Sequence, residues 1–232
     1  MTSNRLALFD LDHTLLPLDS DYQWADFLAR TGRAGDPEVA RARNEELMQR
    51  YNAGNLTAQE AAEFMLGLLA AHDPHELAHW HEDFMREVIR PRMTAQAIDL
   101  VRKHLSAGDL CAIVTATNSF VTAPIARAFG VPHLIATDPQ YVAGRYTGKI
   151  HGTPSFQQGK VIRVNDWLAN MGLNLGQFEQ SHFYSDSIND LPLLETVTHP
   201  VVTNPSKALH DLAQQRQWPV LQLFEQNLDQ KS

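Results

Sequence analysis

Apolar residues along this chain gather in short runs separated by helical patterns. Runs with the length of a buried strand occur at 6–9, 110–114, around 182–184, at 201–203 and at 220–223. Between 94 and 106, Ala97, Ile98, Val101 and Leu105 recur at helical spacing, and Gly108 closes the stripe just before DLCAIV. That order reads as a helix followed by a strand, and its repetition predicts a parallel sheet. Residues 17–90 break the rhythm. They show no strand pattern, only amphipathic stretches near 20–31, 37–53, 57–71 and 74–89, punctuated by Gly32, Gly54 and Pro74. YVAGRYTGKI, residues 141–150, reads as a hairpin turning at Ala143-Gly144. A chain of 232 residues is long for one compact domain and short for two. The expectation is an α/β core formed by 1–16 and 91–232 with a helical insertion at 17–90, Pro17 and Pro91 bounding a hinge.

Composition narrows the partners. Hydrophobic residues make up 44% of the chain, enough to build a core. The formal net charge is −8 and no Lys/Arg block appears, which argues against nucleic acid. Cys111, the single cysteine, lies inside the apolar run LCAIV, as a small buried side chain would, and a reducing compartment fits. The first apolar run is too short for a signal peptide or a bilayer span, so a soluble cytoplasmic protein without a membrane partner is expected. Asn55-Leu56-Thr57 matches a glycosylation acceptor, which has no meaning without secretion. The insertion's Met65, Leu66, Leu68, Leu69, Phe84 and Val88 are read as packing among helices.

The strands end on polar groups. The first run ends on Asp10-Leu11-Asp12, the run LCAIV on Thr115-Ala116-Thr117-Asn118, and the run HFYS on Asp186-Ser187-Ile188-Asn189-Asp190. In open parallel sheets the C-terminal edge is the ligand-binding edge, so Asp10, Asp12, Thr115, Asp186 and Asp190 are expected to share one crevice. Carboxylates so close repel unless a cation compensates them, and a hard divalent ion such as magnesium is the natural choice. A mobile lysine is the second option. Lys160, after Gly159 at the start of the helical run KVIRVNDWLANMG, lies between the second and third strands and is placed to hold a phosphate as well.

Three other motifs fail on inspection. HELAH, residues 75–79, fits a zinc-protease pattern, but Asp73-Pro74 caps a helix that would begin at the motif and leave it exposed. Gly152 to Gly159-Lys160 has too long an interval for a P-loop, and Val161 replaces its Ser/Thr. Asp10-Leu11-Asp12 opens like a calcium loop, but the sixth position is Leu15 and not glycine.

Four motifs in order, DLDHT (10–14), a hydrophobic strand ending in Thr115, Lys160, and SDSIND (185–190), resemble the haloacid-dehalogenase-like phosphatases, in particular the phosphoserine-phosphatase-like branch with a helical cap. The resemblance implies an α/β fold, a three-layer Rossmann-like parallel sheet with an inserted all-helical cap. It implies that Asp10 is the nucleophile forming an aspartyl-phosphate and that Asp12 is general acid and then base. Magnesium would be held by Asp10, Asp186 and the backbone carbonyl of Asp12, with Asp190 supporting its water shell. Thr115, the adjacent Ala116, Lys160 and Asn189 would bind the phosphate. Asp19 stands where phosphoserine phosphatases place an acid toward the substrate amine; their carboxylate-binding arginine has candidates in Arg41, Arg43 and Arg50. The chain departs from the family pattern at His13, Ser185 and Thr115. A serine at 185 would loosen the metal site if positive φ were required there. The implied substrate is a small phosphate ester, phosphoserine or another amino-alcohol phosphate such as histidinol phosphate. Transfer to an alcohol acceptor and a non-catalytic phospho-ligand module remain as alternatives.

Overall fold

The computed structural model describes residues 4–53 and 57–225, so Gly54 and the Asn55-Leu56 of the glycosylation pattern lie outside the described residues. The chain order is β1 (Arg5–Phe9), α1 (Ser20–Arg30), α2 (Pro37–Asn52), α3 (Ala58–Ala70), α4 (Pro74–Phe84), α5 (Ala95–Ser106), β2 (Leu110–Asn118), α6 (Ser119–Phe129), β3 (His133–Val142), β4 (Arg145–His151), α7 (Gln158–Asn170), β5 (Gln180–Ser185), α8 (Leu191–Leu194), β6 (His199–Thr203), α9 (Lys207–Arg216) and β7 (Val220–Leu221). The strands form one sheet in the order β4-β3-β2-β1-β5-β6-β7. All neighbours are parallel except β3 and β4.

Strand β1 is central and covered on both faces, which is why its sequence is continuously apolar and not alternating. Leu6 and Leu8 point to one side with Ala112, Val114 and Phe183, under Val161, Val164 and Leu168 of α7 and Leu209 of α9. Ala7 and Phe9 point to the other with Cys111, Ile113 and Tyr184, under Ala97 and Val101 of α5 and Val121 and Ile125 of α6. Helix, sheet and helix make three layers, an α/β fold.

The second apolar cluster continues without a break into the helices inserted after β1. Trp24, Phe27, Leu66, Leu69, Leu77 and Phe84 belong to it. Trp24 is fully buried among the rings of Phe27, His81, Phe84 and Phe120. The His81 Nε2 is 2.8 Å from the Val121 carbonyl, pinning α4 to α6.

The helix starts follow from capping chemistry. Asp19 accepts from the Tyr22 N–H, Thr57 forms a capping box with Glu60, and Asp73 precedes Pro74 at the first helical position. The run expected as one helix over 74–89 ends at Phe84 and passes through a π-helical turn, Met85–Ile89, and a 3-10 turn holding Pro91. Proline cannot continue the α ladder, and the wider turn absorbs the mismatch. The hairpin turns at Ala143 and Gly144, both at positive φ (48° and 80°) as a tight β-turn demands.

One strand goes beyond the sequence expectation. The first half of β3 pairs parallel with β2, at Ala112↔His133 through Val114↔Ile135, before the chain turns into the hairpin. Its apolar run Leu134-Ile135-Ala136 is short and merges with TDPQYV, which hid it. Among the described residues no helix is long and apolar enough to cross a membrane.

Candidate active site

The parallel register brings the C-terminal ends of β1, β2 and β5 together, since Phe9 pairs with both Ile113 and Tyr184. Asp10 follows directly, its N–H donating to the Tyr184 carbonyl at 2.9 Å. Its side chain is buried and held at both oxygens. Lys160 Nζ donates to Oδ1 at 2.8 Å, and Thr14 Oγ1 lies 3.3 Å from Oδ2. The same Thr14 hydroxyl is 3.2 Å from Asp186 Oδ1 and accepts from the Asp186 N–H at 3.0 Å. Asp10 and Asp186, far apart in the chain, thus flank one hydroxyl.

Lys160 also donates to Asp190 Oδ2 at 2.7 Å, and Ser185 Oγ donates to the same oxygen at 2.7 Å. Burial alone would pull the lysine pKa down, but Asp10 and Asp190 outweigh it and keep the ammonium charged. Asp10 is pushed well above the ordinary carboxylate range, by burial first; Lys160 pulls it back, and Asp190 and Asp186 push it up again. One ammonium serves a pocket with three buried carboxyl groups, Asp10, Asp186 and Asp190, so acids outnumber bases there.

That excess is the test of fit for a cation. Among the described residues no group of three or more His, Cys, Asp or Glu is arranged to close around a metal. Asp190 is committed to Lys160 and Ser185, and the Asp12 side chain points elsewhere. Asp10 and Asp186, which flank the Thr14 hydroxyl, are two hard carboxylates whose set would be completed by a backbone carbonyl and water. This suits magnesium, which keeps much of its water and takes one or two carboxylates.

Asp12 serves a second group. Its Oδ1 accepts from the Ser20 N–H at 2.9 Å and its Oδ2 from Thr117 Oγ1 at 2.7 Å. Burial, with Asp19 nearby, lifts its carboxyl to about 6 despite those hydrogen bonds. Thr115 is buried and accepts from the Thr117 N–H at 3.2 Å, while Ala116 is exposed at the strand end. Asn189 accepts at Oδ1 from Gln157 Nε2 at 3.2 Å.

Beside Thr117 opens a cavity of about 250 Å³ whose lining includes Asp19, Asp21, Leu47, Gln59, Met65, Ala116, Thr117, Thr137, Ile150 and Phe156. Helices α1, α2 and α3 form one wall and the ends of β2, β3 and β4 the other. Among the described residues no arginine, lysine or histidine lines it. Arg43 lies over the Phe64 ring instead, 5.2 Å from its centre.

Sequence reasoning passed over Thr14 as a shared hydroxyl, Thr117 as the partner of Asp12, and Asp21, which accepts from Asn118 Nδ2 at 2.8 Å and lines the cavity. The departure at Ser185 carries no positive φ; residues of this region that do are His13 (57°), Gln157 (49°) and Asn204 (46°). Asn204 Nδ2 donates to the carbonyls of His13 and Thr14 at 3.2 and 3.0 Å, fixing the loop after Asp10.

Comparisons with known proteins identify the family. The model of the haloacid dehalogenase-like hydrolases matches residues 7–195. A histidinol-phosphatase of Neisseria meningitidis serogroup C (strain 8013) is 41% identical over 93% of this chain and 97% of its own length. Phosphoserine phosphatase SerB1 of Mycobacterium tuberculosis (strain ATCC 25618 / H37Rv) is 30% identical over 92% of this chain and 69% of its own. A crystal structure of a protein of unknown function from Bordetella pertussis Tohama I superposes with a TM-score of 0.94, at 74% identity, covering 96% of this chain and 100% of that one. With its paired aspartates and buried lysine at one sheet edge, this chain belongs to the haloacid dehalogenase-like hydrolases, and among them to the phosphatases.

Proposed function

We propose that the protein is a magnesium-dependent phosphomonoesterase that hydrolyses a small amino-alcohol phosphate through an aspartyl-phosphate. In this reading residues 1–16 and 91–232 are the catalytic core and 17–90 the cap over the substrate. The observation that carries it is the buried Asp10 carboxylate, aimed by Lys160 and Thr14 and adjoining Asp186.

The Asp10 oxygen attacks phosphorus and the bond to the ester oxygen breaks. Asp12 gives its proton to the leaving alkoxide, releasing the alcohol. Asp12 then takes a proton from the water that attacks the acyl phosphate, releasing inorganic phosphate and restoring Asp10. Lys160, Thr115 with the strand end at Ala116, and Asn189 hold phosphoryl oxygens where charge gathers. Asp10, Asp186 and the Asp12 carbonyl would hold magnesium, with Asp190 behind it; the ion supplies positive charge that lets one anion approach another.

For the leaving group, the cavity's composition supports an ammonium-bearing alcohol with no carboxylate. Asp19 offers negative charge beside Asp21, whose carboxyl burial and the neighbouring Asp19 and Asp12 hold well above the ordinary range; the remaining wall is largely apolar or neutral, and among the described residues nothing cationic in the lining would receive a carboxylate. That ranks a compound like histidinol phosphate, the substrate in the name of the Neisseria relative, above phosphoserine. Turnover of histidinol phosphate, phosphoserine and an aryl phosphate, with magnesium and with chelator, tests the proposal. The expected result is chelator-sensitive release of phosphate, highest kcat/KM for histidinol phosphate, and no turnover by Asp10→Asn. Preference for phosphoserine overturns the substrate reading; undiminished activity in Asp10→Asn overturns the mechanism. Asp19→Ala is expected to raise KM for the amine-bearing ester by about tenfold, one hydrogen bond to a charged group, and to change KM for the aryl phosphate far less.

A further inference from the structure

Gln157 holds a conformation that glycine would adopt more readily. Its backbone lies at φ 49° and ψ −121°. A side chain persists in such a region only where its surroundings impose it, and these positions gather at functional sites. Its neighbours are functional in place: Phe156 lines the cavity, and the Gln157 carbonyl accepts from the Lys160 N–H at 3.1 Å.

Its side chain crosses to the other loop. Nε2 donates to Asn189 Oδ1 at 3.2 Å, in the turn that also carries Asp190. An asparagine amide has an accepting oxygen and a nitrogen with two N–H donors. A donor fixed on the oxygen sets which end of the amide faces away. Among the described residues no acceptor pairs with Asn189 Nδ2, so its N–H groups are left for a ligand. N–H donors are what a phosphoryl oxygen recruits.

We propose that Gln157 is a positioning residue for the phosphoryl group: held in a glycine-like backbone conformation, it orients the Asn189 amide so that its N–H groups meet phosphate. The inference rests on the phosphatase reading above. The test measures inorganic phosphate binding to the magnesium-loaded protein by calorimetry, for the wild type, Gln157→Ala, Gln157→Glu, Asn189→Ala and the double variant Gln157→Ala/Asn189→Ala. Glutamate accepts only, so it would turn the asparagine N–H groups away from phosphate. Gln157→Ala and Gln157→Glu are expected to weaken phosphate about tenfold, as much as Asn189→Ala, and the double variant no further. Gln157→Gly is expected to lose the same affinity while its thermal midpoint holds or rises, which separates positioning from folding. Wild-type affinity in Gln157→Ala and Gln157→Glu, or additive losses in the double variant, overturns the inference and leaves the phosphatase reading intact. A wild type that neither binds phosphate nor hydrolyses the esters overturns both.

Discussion

Lys160 shows what one side chain does at this site. Lys160→Met leaves Asp10 and Asp190 facing each other without the ammonium between them. Removing one partner of a buried ion pair costs about 3–5 kcal/mol, and losing a donor to the transferring group costs ~10²–10³ in kcat. Urea denaturation and aryl-phosphate turnover read the two effects separately. Gly159, next to it, has no room for change: a Cβ there would lie 2.1 Å from the Pro154 carbonyl oxygen. Gly159→Ala must displace the 154–156 segment or the start of α7. A misplacement of about 1 Å is worth up to ~10²-fold in rate, so kcat is expected to fall while the far-UV spectrum is kept. Which acids and which lysine meet was legible in the sequence, because strand-end carboxylates announce themselves by type and place. The roles of Thr117 and Gln157 were not, because each depends on a partner supplied by a distant loop, Asp12 in one case and Asn189 in the other.

At the scale of elements, the hairpin docks on the inserted helices. Gly148 of β4, at φ 78°, brings its backbone against α3, where a Cβ would sit 3.5 Å from the Ala70 Cβ and 3.7 Å from the Gly67 Cα. Gly148→Val is expected to cost ~1–2 kcal/mol for the left-handed backbone alone. A lowered denaturation midpoint at unchanged slope would show it. The start of α4 was readable from Asp73-Pro74, whereas the caps at Asp19 and Thr57 came to light only in the structure. The parallel half of β3 was not, since its short apolar run is continuous with the polar start of the hairpin. The change from α to π turn at Met85 was hidden too, because the apolar pattern runs on while Pro91 alone breaks the ladder.

Across the molecule, buried histidines and buried carboxyls give stability opposite pH dependences. His182 on β5 stacks on His199 at 4.8 Å and lies 5.2 Å from His104, and its Nδ1 is buried without a hydrogen-bond partner among the described residues. Burial, then the neighbouring histidines, lowers it from 6.5 to about 4. His81, between α4 and α6, is lowered by burial as well. At these two histidines the unfolded chain binds more protons than the folded one in this interval, whereas at the buried carboxyls of Asp10, Asp12 and Asp21, all raised, the folded chain binds more. The contribution of His182 is full above about pH 6.5 and is lost as pH falls toward 4. Thermal midpoints across that window are expected to fall less, or rise more, in His182→Phe than in the wild type. The insertion itself is anchored unevenly. Trp24, Phe27, Leu28 and Phe84 tie α1 and α4 into the main core, whereas Asn44 is the one buried side chain among the described residues of α2. Yet α2 supplies Leu47 to the cavity wall. Helix α2 is thus the least anchored part of the cavity wall, and its amide hydrogens are expected to exchange with deuterated solvent well before those of α1.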